Sequence, residues 1–238
     1  MTIELLNIDC MEYMRGLPDN AFDLAIVDPP YGINAPNMSM GSNPNRKDGW
    51  SRGESTAKMI KKGRLNQGSG KLKNRAPNTM NCDWDYATPD AEYFSELKRV
   101  SKNQIIWGGN YFDLPPTRCI VCWDKVQPWD NFSQWEMAWT SFDMPAAMVR
   151  LSNTGGANAE HKIHPTQKPV RLYKWIIEKF GKGSLSILDT HLGSASSAIA
   201  AHYANVKFVG CEIDKNYYTE AKARFEKETA QRALDFTL

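Results

Sequence analysis

The chain has 238 residues, a length that suits one large α/β domain better than two small ones. Hydrophobic residues make up 42% of the sequence, which excludes a disordered chain, and no run of about 18 apolar residues is present to span a membrane. The start of the chain lacks the pattern of a signal peptide and the five cysteines are scattered, so a reduced cytoplasmic protein is expected.

Basic residues are concentrated in one segment, although the net charge is only +2. Ten lysines and arginines but only two acidic residues lie between Ile33 and Met80, a segment rich in Gly, Ser and Asn with little periodicity. We therefore expect a single domain over residues 1–238 with a basic, flexible insertion at 33–80. The charge favours contact with a polyanion such as nucleic acid, although a solvated loop without a partner explains it equally well.

Apolar runs and helical periodicity predict alternating strands and helices along the rest of the chain. The predicted strands are Ile3–Leu6, Phe22–Val27, Asn103–Trp107, Cys119–Trp123, Trp135–Trp139, Leu185–Leu188 and Val206–Gly210. The predicted helices are Pro89–Val100, Val170–Phe180, Ser194–Tyr203 and Lys215–Ala233. Strands that alternate with helices indicate an α/β protein with a doubly wound, largely parallel sheet.

Cys119 and Cys122 form a CxxC pair, which is a spacing found in zinc and redox sites. The pair belongs to a predicted buried strand, in which residues three apart point to opposite faces. No second pair of ligands lies at metal spacing elsewhere in the sequence. Both cysteines are therefore interpreted as structural, and no metal site is predicted.

A ligand-binding loop is predicted at Asp189–Ala195, which follows a strand and precedes a helix. Ligands bind at the carboxyl ends of strands in such sheets, and small residues let the backbone approach them closely. Glu212 ends the next strand, where an acid commonly hydrogen-bonds ribose hydroxyls. Because the loop lacks the GxGxxG pattern, it is interpreted as the site of a nucleoside cofactor without phosphates, with an ordinary tight turn as the alternative.

A second site is predicted at Asp28-Pro29-Pro30-Tyr31, directly after the strand that ends at Val27. The prolines fix the backbone and remove N–H donors, so their carbonyls and the Asp28 carboxylate can accept hydrogen bonds from one amino group. Tyr31 offers an aromatic face beside these acceptors. The combination suits a flat base that carries an amino group, and a rigid turn with a packed tyrosine is the alternative.

A third motif, His164-Pro165-Thr166-Gln167-Lys168-Pro169, leads into the helix that begins at Val170. Its prolines give the helix a rigid start, which Thr166 is expected to cap. By itself this motif indicates only the N-terminus of a helix.

Together, the three motifs in this order resemble the β class of DNA amino-methyltransferases, and in particular short, phage-type, site-specific enzymes. The resemblance covers nearly the whole chain, including residues 103–112 and 132–142. It implies a seven-stranded Rossmann-like methyltransferase sheet with a circularly permuted motif order, because in that class the DPPY block precedes the cofactor loop. It also implies S-adenosylmethionine as the cofactor, double-stranded DNA as the partner, and methylation of N6 of adenine after the base is flipped out of the duplex.

The resemblance assigns roles to matching positions. The residues implied at the target base are Asp28, Pro29, Pro30 and Tyr31. The residues implied in cofactor binding are Asp9, Cys10, His164, Thr166, Gln167, Lys168, Asp189, His191, Gly193, Ser194 and Glu212. Among these, Asp9 matches the acid at the cofactor's adenine amino group, Glu212 matches the ribose-binding acid, and 164–168 matches the block at the methionine end.

Two positions depart from the D-x-F-x-G-S-G pattern of the wider family. His191 stands at the aromatic place, where it is flat and can pack. Ala195 stands at the last glycine. We expect Ala195 to adopt a helical φ, because a φ above zero would reduce stability or cofactor affinity.

Several alternatives stay open at the level of sequence. Related N4-cytosine enzymes more often carry Ser at the place of Asp28, which favours adenine, and glutamine-modifying enzymes usually carry Asn there. RNA as the substrate and a DNA-binding relative without activity are further alternatives; Ala195 is the one hint of the latter. The recognised DNA sequence and the oligomeric state, a homodimer included, are not determined. The insertion and residues 140–163 are expected to read the target sequence.

Overall fold

One mixed sheet organises the protein in our computed structural model, which describes residues 2–33, 85–127, 133–152, 160, 162–164, 166–181 and 185–230. The strands are β1 (Ile3–Leu6), β2 (Phe22–Val27), β3 (Ser101–Trp107), β4 (Ile120–Asp124), β5 (Trp135–Thr140), β6 (Ala147–Arg150), β7 (Ser186–Asp189) and β8 (Lys207–Cys211). The helices are α1 (Cys10–Arg15), α2 (Ala91–Val100), α3 (Val170–Phe180), α4 (Ser196–Tyr203) and α5 (Lys215–Ala230), with a short 3-10 helix at Gly109–Tyr111.

The strand order is β1-β8-β7-β2-β3-β5-β4-β6. The strands from β1 to β3 in this order run parallel, whereas β5 is antiparallel to both β3 and β4. From β2 the chain passes through α2 to β3, and from β7 it passes through α4 in the opposite direction to β8. The winding therefore reverses between β2 and β7, and a ligand crevice is expected outside the carboxyl ends of these two strands.

Helices cover both faces of the sheet because successive strand residues point to opposite sides. On β2, Leu24 and Ile26 share a core with α3 and α4, whereas Ala25 and Val27 share a core with α1 and α2. The buried part of α4 consists mainly of Ala and Ser, whose small side chains let this helix lie close to the sheet. The two cores hold β2 and β7 in the centre of the molecule.

The predicted α/β class and the largely parallel, doubly wound sheet are confirmed, and every predicted strand and helix is present with small shifts at its ends. The sheet has eight strands where seven were expected, because residues 147–150 pair in parallel with β4 as an additional edge strand. The sequence does not reveal this strand or α1, since six residues are too few to show a helical period and an edge strand is defined mainly by its partner.

Some expectations fall outside the described residues, namely almost all of the insertion at 33–80 and the predicted end of the last helix at 231–233. Within the described ranges, no helix is long and apolar enough to cross a membrane. The four cysteines in these ranges are free thiols. Cys119 is fully buried and Cys122 is partly exposed, as the opposite orientation of residues three apart in a strand predicts.

Candidate active site

Polar residues that follow the parallel strands meet at one edge of the sheet. Asp28 follows β2, Asp189 ends β7, Glu212 follows β8, and Asp9 lies three residues after β1. Because these strands are parallel, their carboxyl ends lie side by side. Gly108 follows β3 at the same edge. The topology thus brings together the motifs that the sequence places far apart.

A cavity of about 340 Å³ opens at this edge. Its lining includes five of the predicted site residues, Asp9, Cys10, Pro30, His191 and Glu212. The volume lies in the lower part of the roughly 300–1,000 Å³ range of small-molecule sites. Three acidic residues, Asp9, Asp90 and Glu212, line this largely apolar cavity, a combination that suits a nucleoside, which presents a flat apolar ring together with hydroxyl and amino groups.

Glu212 is held in place by two backbone amides at the cavity wall. Gly193 N donates to Oε2 at 2.9 Å, and Asp214 N donates to Oε1 at 3.0 Å. Gly193 has a φ of +51°, a left-handed conformation that glycine adopts without strain. Burial raises the pKa of Glu212, and the two amides oppose that shift. A carboxylate can accept about four hydrogen bonds, so Glu212 retains capacity for a pair of ligand hydroxyls.

Asp189 is buried and stabilises the loop at 189–195 through hydrogen bonds. Its Oδ1 accepts a hydrogen bond from His191 N at 3.0 Å, and its Oδ2 accepts one from the Ser197 hydroxyl at 2.5 Å. Burial raises the pKa of Asp189 to about 7, although both hydrogen bonds oppose the shift. Asp189 therefore ties the start of α4 to the loop segment that presents His191 to the cavity.

Tyr93 is a cavity residue that the sequence does not reveal, because it reads as one more buried residue of an amphipathic helix. Its hydroxyl lies 2.7 Å from Thr190 Oγ1, which in turn lies 2.9 Å from His191 Nδ1. The rings of Tyr93 and His191 meet edge to face at 5.5 Å. Burial lowers the pKa of His191 to about 4, so this imidazole is neutral at pH 7 and packs as a flat ring.

Asp28 is held between two side chains in the loop after β2. The Tyr31 hydroxyl donates to Oδ1 at 2.5 Å, and Lys168 Nζ donates to Oδ2 at 2.5 Å. The Lys168 side chain is only 3% exposed, and its Nζ also lies 3.2 Å from Glu136 Oε2. The HPTQKP block therefore contacts the DPPY block directly, through Lys168.

Burial and charge set the protonation states of this group. Burial raises the pKa of Asp28, and Lys168 opposes that shift. Burial lowers the pKa of Lys168, but Asp28 and Glu136 together outweigh burial, so the pKa of Lys168 is raised overall. Burial, reinforced by Asp28, raises the pKa of Tyr31 well above its usual value. Near neutral pH the lysine is therefore an ammonium ion and the phenol is protonated.

A buried acid, Asp85, fixes the same loop from the far side of the insertion. Its Oδ1 accepts hydrogen bonds from the backbone N–H groups of Tyr31 at 2.7 Å and Gly32 at 2.9 Å. Gly32 has a φ of +70°, which glycine adopts freely. The sequence gives no sign of this role, because a single acid ahead of the Pro89 helix matches no motif.

Tyr31 stacks on a second aromatic ring. The Tyr111 ring lies parallel to it, with centroids 4.9 Å and planes 12° apart, and Phe112 meets Tyr31 edge to face at 6.1 Å. A methyl group on Gly108 would lie 2.2 Å from the Tyr31 ring, so only glycine leaves room for the ring in this position. Tyr111 is 44% exposed, and the two tyrosines together form an aromatic surface beside Asp28.

The rest of the HPTQKP block packs beside the loop at 189–195. A methyl group on Gly193 would lie 3.8 Å from the His164 ring, and burial lowers the pKa of His164 to about 4. Thr166 Oγ1 lies 3.1 Å from His164 Nδ1, and Gln167 Oε1 accepts a hydrogen bond from the backbone just before the block. The expectation that Thr166 caps the helix is wrong, because the N-cap of α3 is Pro169.

A buried arginine links the start of α3 to the loop at 189–195. Glu160 Oε1 accepts a hydrogen bond from Val170 N at 2.9 Å, and its Oε2 accepts one from Arg224 Nη2 at 2.9 Å. Arg224 Nη1 donates to the Ser194 carbonyl at 2.7 Å. Through these contacts, α5 holds together the two segments that carry the predicted cofactor residues.

Ala195 adopts a left-handed conformation, with a φ of +61°, and the expectation of a helical φ is wrong. The loop turns sharply between β7 and α4, and the Ala195 amide closes this turn by donating to the Leu192 carbonyl at 3.0 Å. A left-handed φ is about 1–2 kcal/mol less favourable for a residue with a side chain than for glycine. Ala195 is therefore a strained, fully buried position at the start of α4.

Ala195→Gly is expected to raise Tm by about 2–4 °C, since relief of the left-handed strain exceeds the added entropy of the unfolded chain by about 1 kcal/mol. Thermal unfolding followed by circular dichroism measures the change. Ala198→Gly, at a buried helical position in α4, serves as the control and should lower Tm. A fall in Tm for Ala195→Gly would contradict the left-handed strain.

Comparisons with known proteins identify the family of the chain. The N6_N4_Mtase family model, described as DNA methylase, matches residues 22–223. The type II methyltransferase M2.MboI of Moraxella bovis is 21% identical over 249 residues, covering 93% of this chain and 86% of the relative. The type II methyltransferase M.HpaI of Haemophilus parainfluenzae is 32% identical over 85 residues, and this match spans 35% of the chain but only 27% of the relative.

Two solved structures share the fold over nearly the whole chain. The PvuII DNA methyltransferase, described as cytosine-N4-specific, aligns with a TM-score of 0.55 and 14% identity over 99% of this chain and 93% of that one. The complex of M1.HpyAVI with S-adenosylmethionine aligns with a TM-score of 0.51 and 17% identity over 94% and 98%. Likeness at these identities shows the fold alone. The family match spans most of the chain, which therefore belongs to the N6_N4_Mtase family of DNA methylases, enzymes whose methyl donor is S-adenosylmethionine.

Proposed function

We propose that this protein transfers a methyl group from S-adenosylmethionine to the N6 amino group of adenine, at a specific sequence in double-stranded DNA. The position of Asp28 carries the proposal. It follows β2, which lies next to β7 at the reversal of the sheet, and Pro30 of the same loop lines the cavity. A carboxylate thus stands beside the proposed cofactor site. Asp at this position, where related cytosine enzymes more often carry Ser, favours adenine.

The cavity fits the nucleoside part of the cofactor. We assign the ribose hydroxyls to Glu212, whose orientation two amides fix, and the adenine amino group to Asp9, whose Oδ1 also caps α1 through Met11 N at 2.7 Å. The backbone around Gly193 and the neutral His164 ring flank the place of the methionine part. When bound, the cofactor supplies a methyl group activated by a positively charged sulfur.

The Asp28 carboxylate and the Pro29 carbonyl are proposed to accept hydrogen bonds from the two N–H groups of the target amine. The lone pair of that amine is delocalised into the ring, and holding both hydrogens directs it toward the methyl group. The positive charge that develops on nitrogen is stabilised by the carboxylate. As the N–C bond forms, the bond between sulfur and the methyl group breaks, its electron pair stays on sulfur, and S-adenosylhomocysteine leaves as the neutral thioether. The methylated nitrogen then releases one proton by way of Asp28 to solvent, because Lys168 is already an ammonium ion and the Tyr31 phenol is already protonated.

The target base must leave the duplex before it reaches Asp28, which requires a few kcal/mol. Stacking of a base on an aromatic ring offsets roughly 1–3 kcal/mol of this. Tyr31 is the proposed stacking surface. Because Tyr111 now covers one face of Tyr31 and is the more exposed ring, we expect Tyr111 to move when a base enters.

The proposed activity is tested with purified protein, S-adenosylmethionine labelled in the methyl group, and DNA of diverse sequence. Digestion of the DNA to nucleosides and mass spectrometry should identify N6-methyladenine as the labelled product. Labelled N4-methylcytosine instead would overturn the choice of adenine. Binding of the cofactor without transfer to DNA, but with transfer to RNA, would overturn the choice of DNA, and binding of DNA without transfer to either would indicate a DNA-binding relative that lacks activity.

A further inference from the structure

We propose that Glu136 is a positioning residue for methyl transfer, which acts through Lys168 on the Asp28 carboxylate; this inference rests on the proposed function of the site. Glu136 is the one charged residue in β5, a strand that otherwise carries mainly apolar and aromatic side chains. It is partly buried, and its side chain is 24% exposed. An isolated carboxylate in such a strand needs a partner of opposite charge.

The topology explains why Glu136 reaches the active site. β5 is antiparallel to β3, so its first residues lie at the edge where the parallel strands end. β4 is antiparallel to β5 in turn, and Glu136 pairs with Trp123, which places Lys125 just past the end of β4 at the same edge. The antiparallel strands thus place the Glu136 carboxylate and the Lys125 ammonium group beside the loop that carries Asp28.

These side chains form a row of alternating charge that leads from Lys125 to Asp28. Lys125 contacts Glu136 Oε1, Glu136 Oε2 lies 3.2 Å from Lys168 Nζ, and Lys168 Nζ lies 2.5 Å from Asp28 Oδ2. Lys168 also lies over the Trp107 ring, with 5.2 Å between Nζ and the centroid. Both lysines are almost entirely shielded from solvent, so solvent screens these charges little.

Glu136 reduces the extent to which Lys168 neutralises the Asp28 carboxylate. Lys168 alone would neutralise the Asp28 carboxylate, but Glu136 shares the ammonium group, so Asp28 keeps more of its negative charge although Lys125 balances the row as a whole. Glu136 Oε2 lies 3.2 Å from Lys168 Nζ and acts on it mainly through its charge. Negative charge that remains on Asp28 beside the target amine stabilises the positive charge that develops there during transfer.

Other titratable groups face this cluster from the surrounding elements. Tyr31, in the loop after β2, and Tyr173, on α3, have pKa values that burial raises well above the usual range, so both stay protonated. The pKa of His164 is lowered to about 4 by burial and Lys168. Asp189, at the end of β7, has a pKa of about 7 and faces Asp28, so it titrates within the assay range in wild type and variants alike. The comparison between variants therefore isolates Glu136.

The test is the single-turnover rate of DNA methylation by Glu136→Gln as a function of pH. The rate at neutral pH should fall about 10- to 100-fold, because Lys168 is no longer held by Glu136 and neutralises Asp28 more fully, while the Kd for S-adenosylmethionine stays the same. The rise in rate on the acid side of the pH profile, where Asp28 loses its proton, should move to lower pH in Glu136→Gln. Glu136 raises the pKa of Asp28, and that effect is lost in the variant. Lys125→Gln, which removes the opposite charge, should move the same rise to higher pH.

Two further variants separate this role from a structural one. The double variant Glu136→Gln/Lys125→Gln leaves no unpaired lysine and should keep the lowered rate. Glu178→Gln, in an exposed ion pair on α3, should match the wild type. A wild-type rate in the double variant, or pH shifts of the same sign in both single variants, would overturn the role of Glu136 alone. A wild-type protein that binds cofactor but methylates no DNA would overturn the proposed function, and this inference with it.

Discussion

Asp28→Ala is expected to abolish methyl transfer, with a loss of at least about 10³-fold, while cofactor binding survives. The carboxylate is the proposed acceptor for the target amine and the group that stabilises its developing charge. The cavity residues Glu212 and Asp9 are fixed by backbone contacts that do not involve Asp28. Incorporation of labelled methyl groups into DNA measures the transfer, and calorimetric titration with S-adenosylmethionine measures the binding.

Two further variants distinguish a loss of chemistry from a folding defect. Asp28→Asn keeps the shape of the side chain and one acceptor oxygen for Lys168, and it should lose most of the activity because the charge is gone. Asp143→Asn removes an acid from an exposed ion pair with Arg118 and should retain full activity. Turnover within about tenfold of the wild type in both Asp28 variants would show that Asp28 is not in the active site. Loss of a group that stabilises transition-state charge typically lowers the rate by about 100-fold or more.

Lys168→Met is expected to lower the free energy of unfolding by about 3–5 kcal/mol, because Asp28 and Glu136 lose the buried cation that they share. Methionine is flexible and fills much of the space of the lysine stem, so the loss reflects charge more than packing. Urea denaturation of the variant and the wild type measures the difference.

The destabilisation by Lys168→Met should grow as the pH rises. Carboxylates of the unfolded chain release their protons near pH 4. In the folded variant, burial still raises the pKa of Asp28, and Lys168 no longer opposes it. Between the two pKa values the folded variant binds more protons than the unfolded chain, so its stability falls as pH rises. Lys174→Met, exposed on α3, should stay within about 0.5 kcal/mol of the wild type at every pH, and a pH-independent deficit for Lys168→Met would contradict the ion pairs.

Most of the sheet could be predicted because its strands and helices are marked locally. β2 is an apolar run that ends where two prolines follow, and α3 has both predicted ends because Pro169 precedes it and Gly181 follows it. β6 is not predicted because its apolar residues continue a run from Met144 that contains Pro145 and two alanines, which are residues disfavoured in strands. Short elements at the edge of a sheet are defined by their partner strand rather than by their own residues.

The site could be predicted where a motif directly follows a parallel strand, because topology alone then places it at the ligand edge. Asp28, Asp189 and Glu212 belong to this class. Glu136 and Asp85 do not, because each acquires its role from contact with a residue far along the chain. The charge of Glu136 within an aromatic strand is the signal that could have drawn attention to it. The φ of Ala195 could not be read from the residue type, since alanine normally adopts helical or extended conformations and the turn overrides that preference.

The hydrogen bonds from the amides of Tyr31 and Gly32 to Asp85 hold residues 32 and 85 next to each other. The entropy of joining two such fixed points depends only weakly on the length of the connection, by about 0.6 kcal/mol for each doubling. We therefore expect connections of different length and composition to be accepted between these two residues. If the insertion at 33–80 reads the target sequence, as its charge predicts, its exchange would change the target without redesign of the sheet.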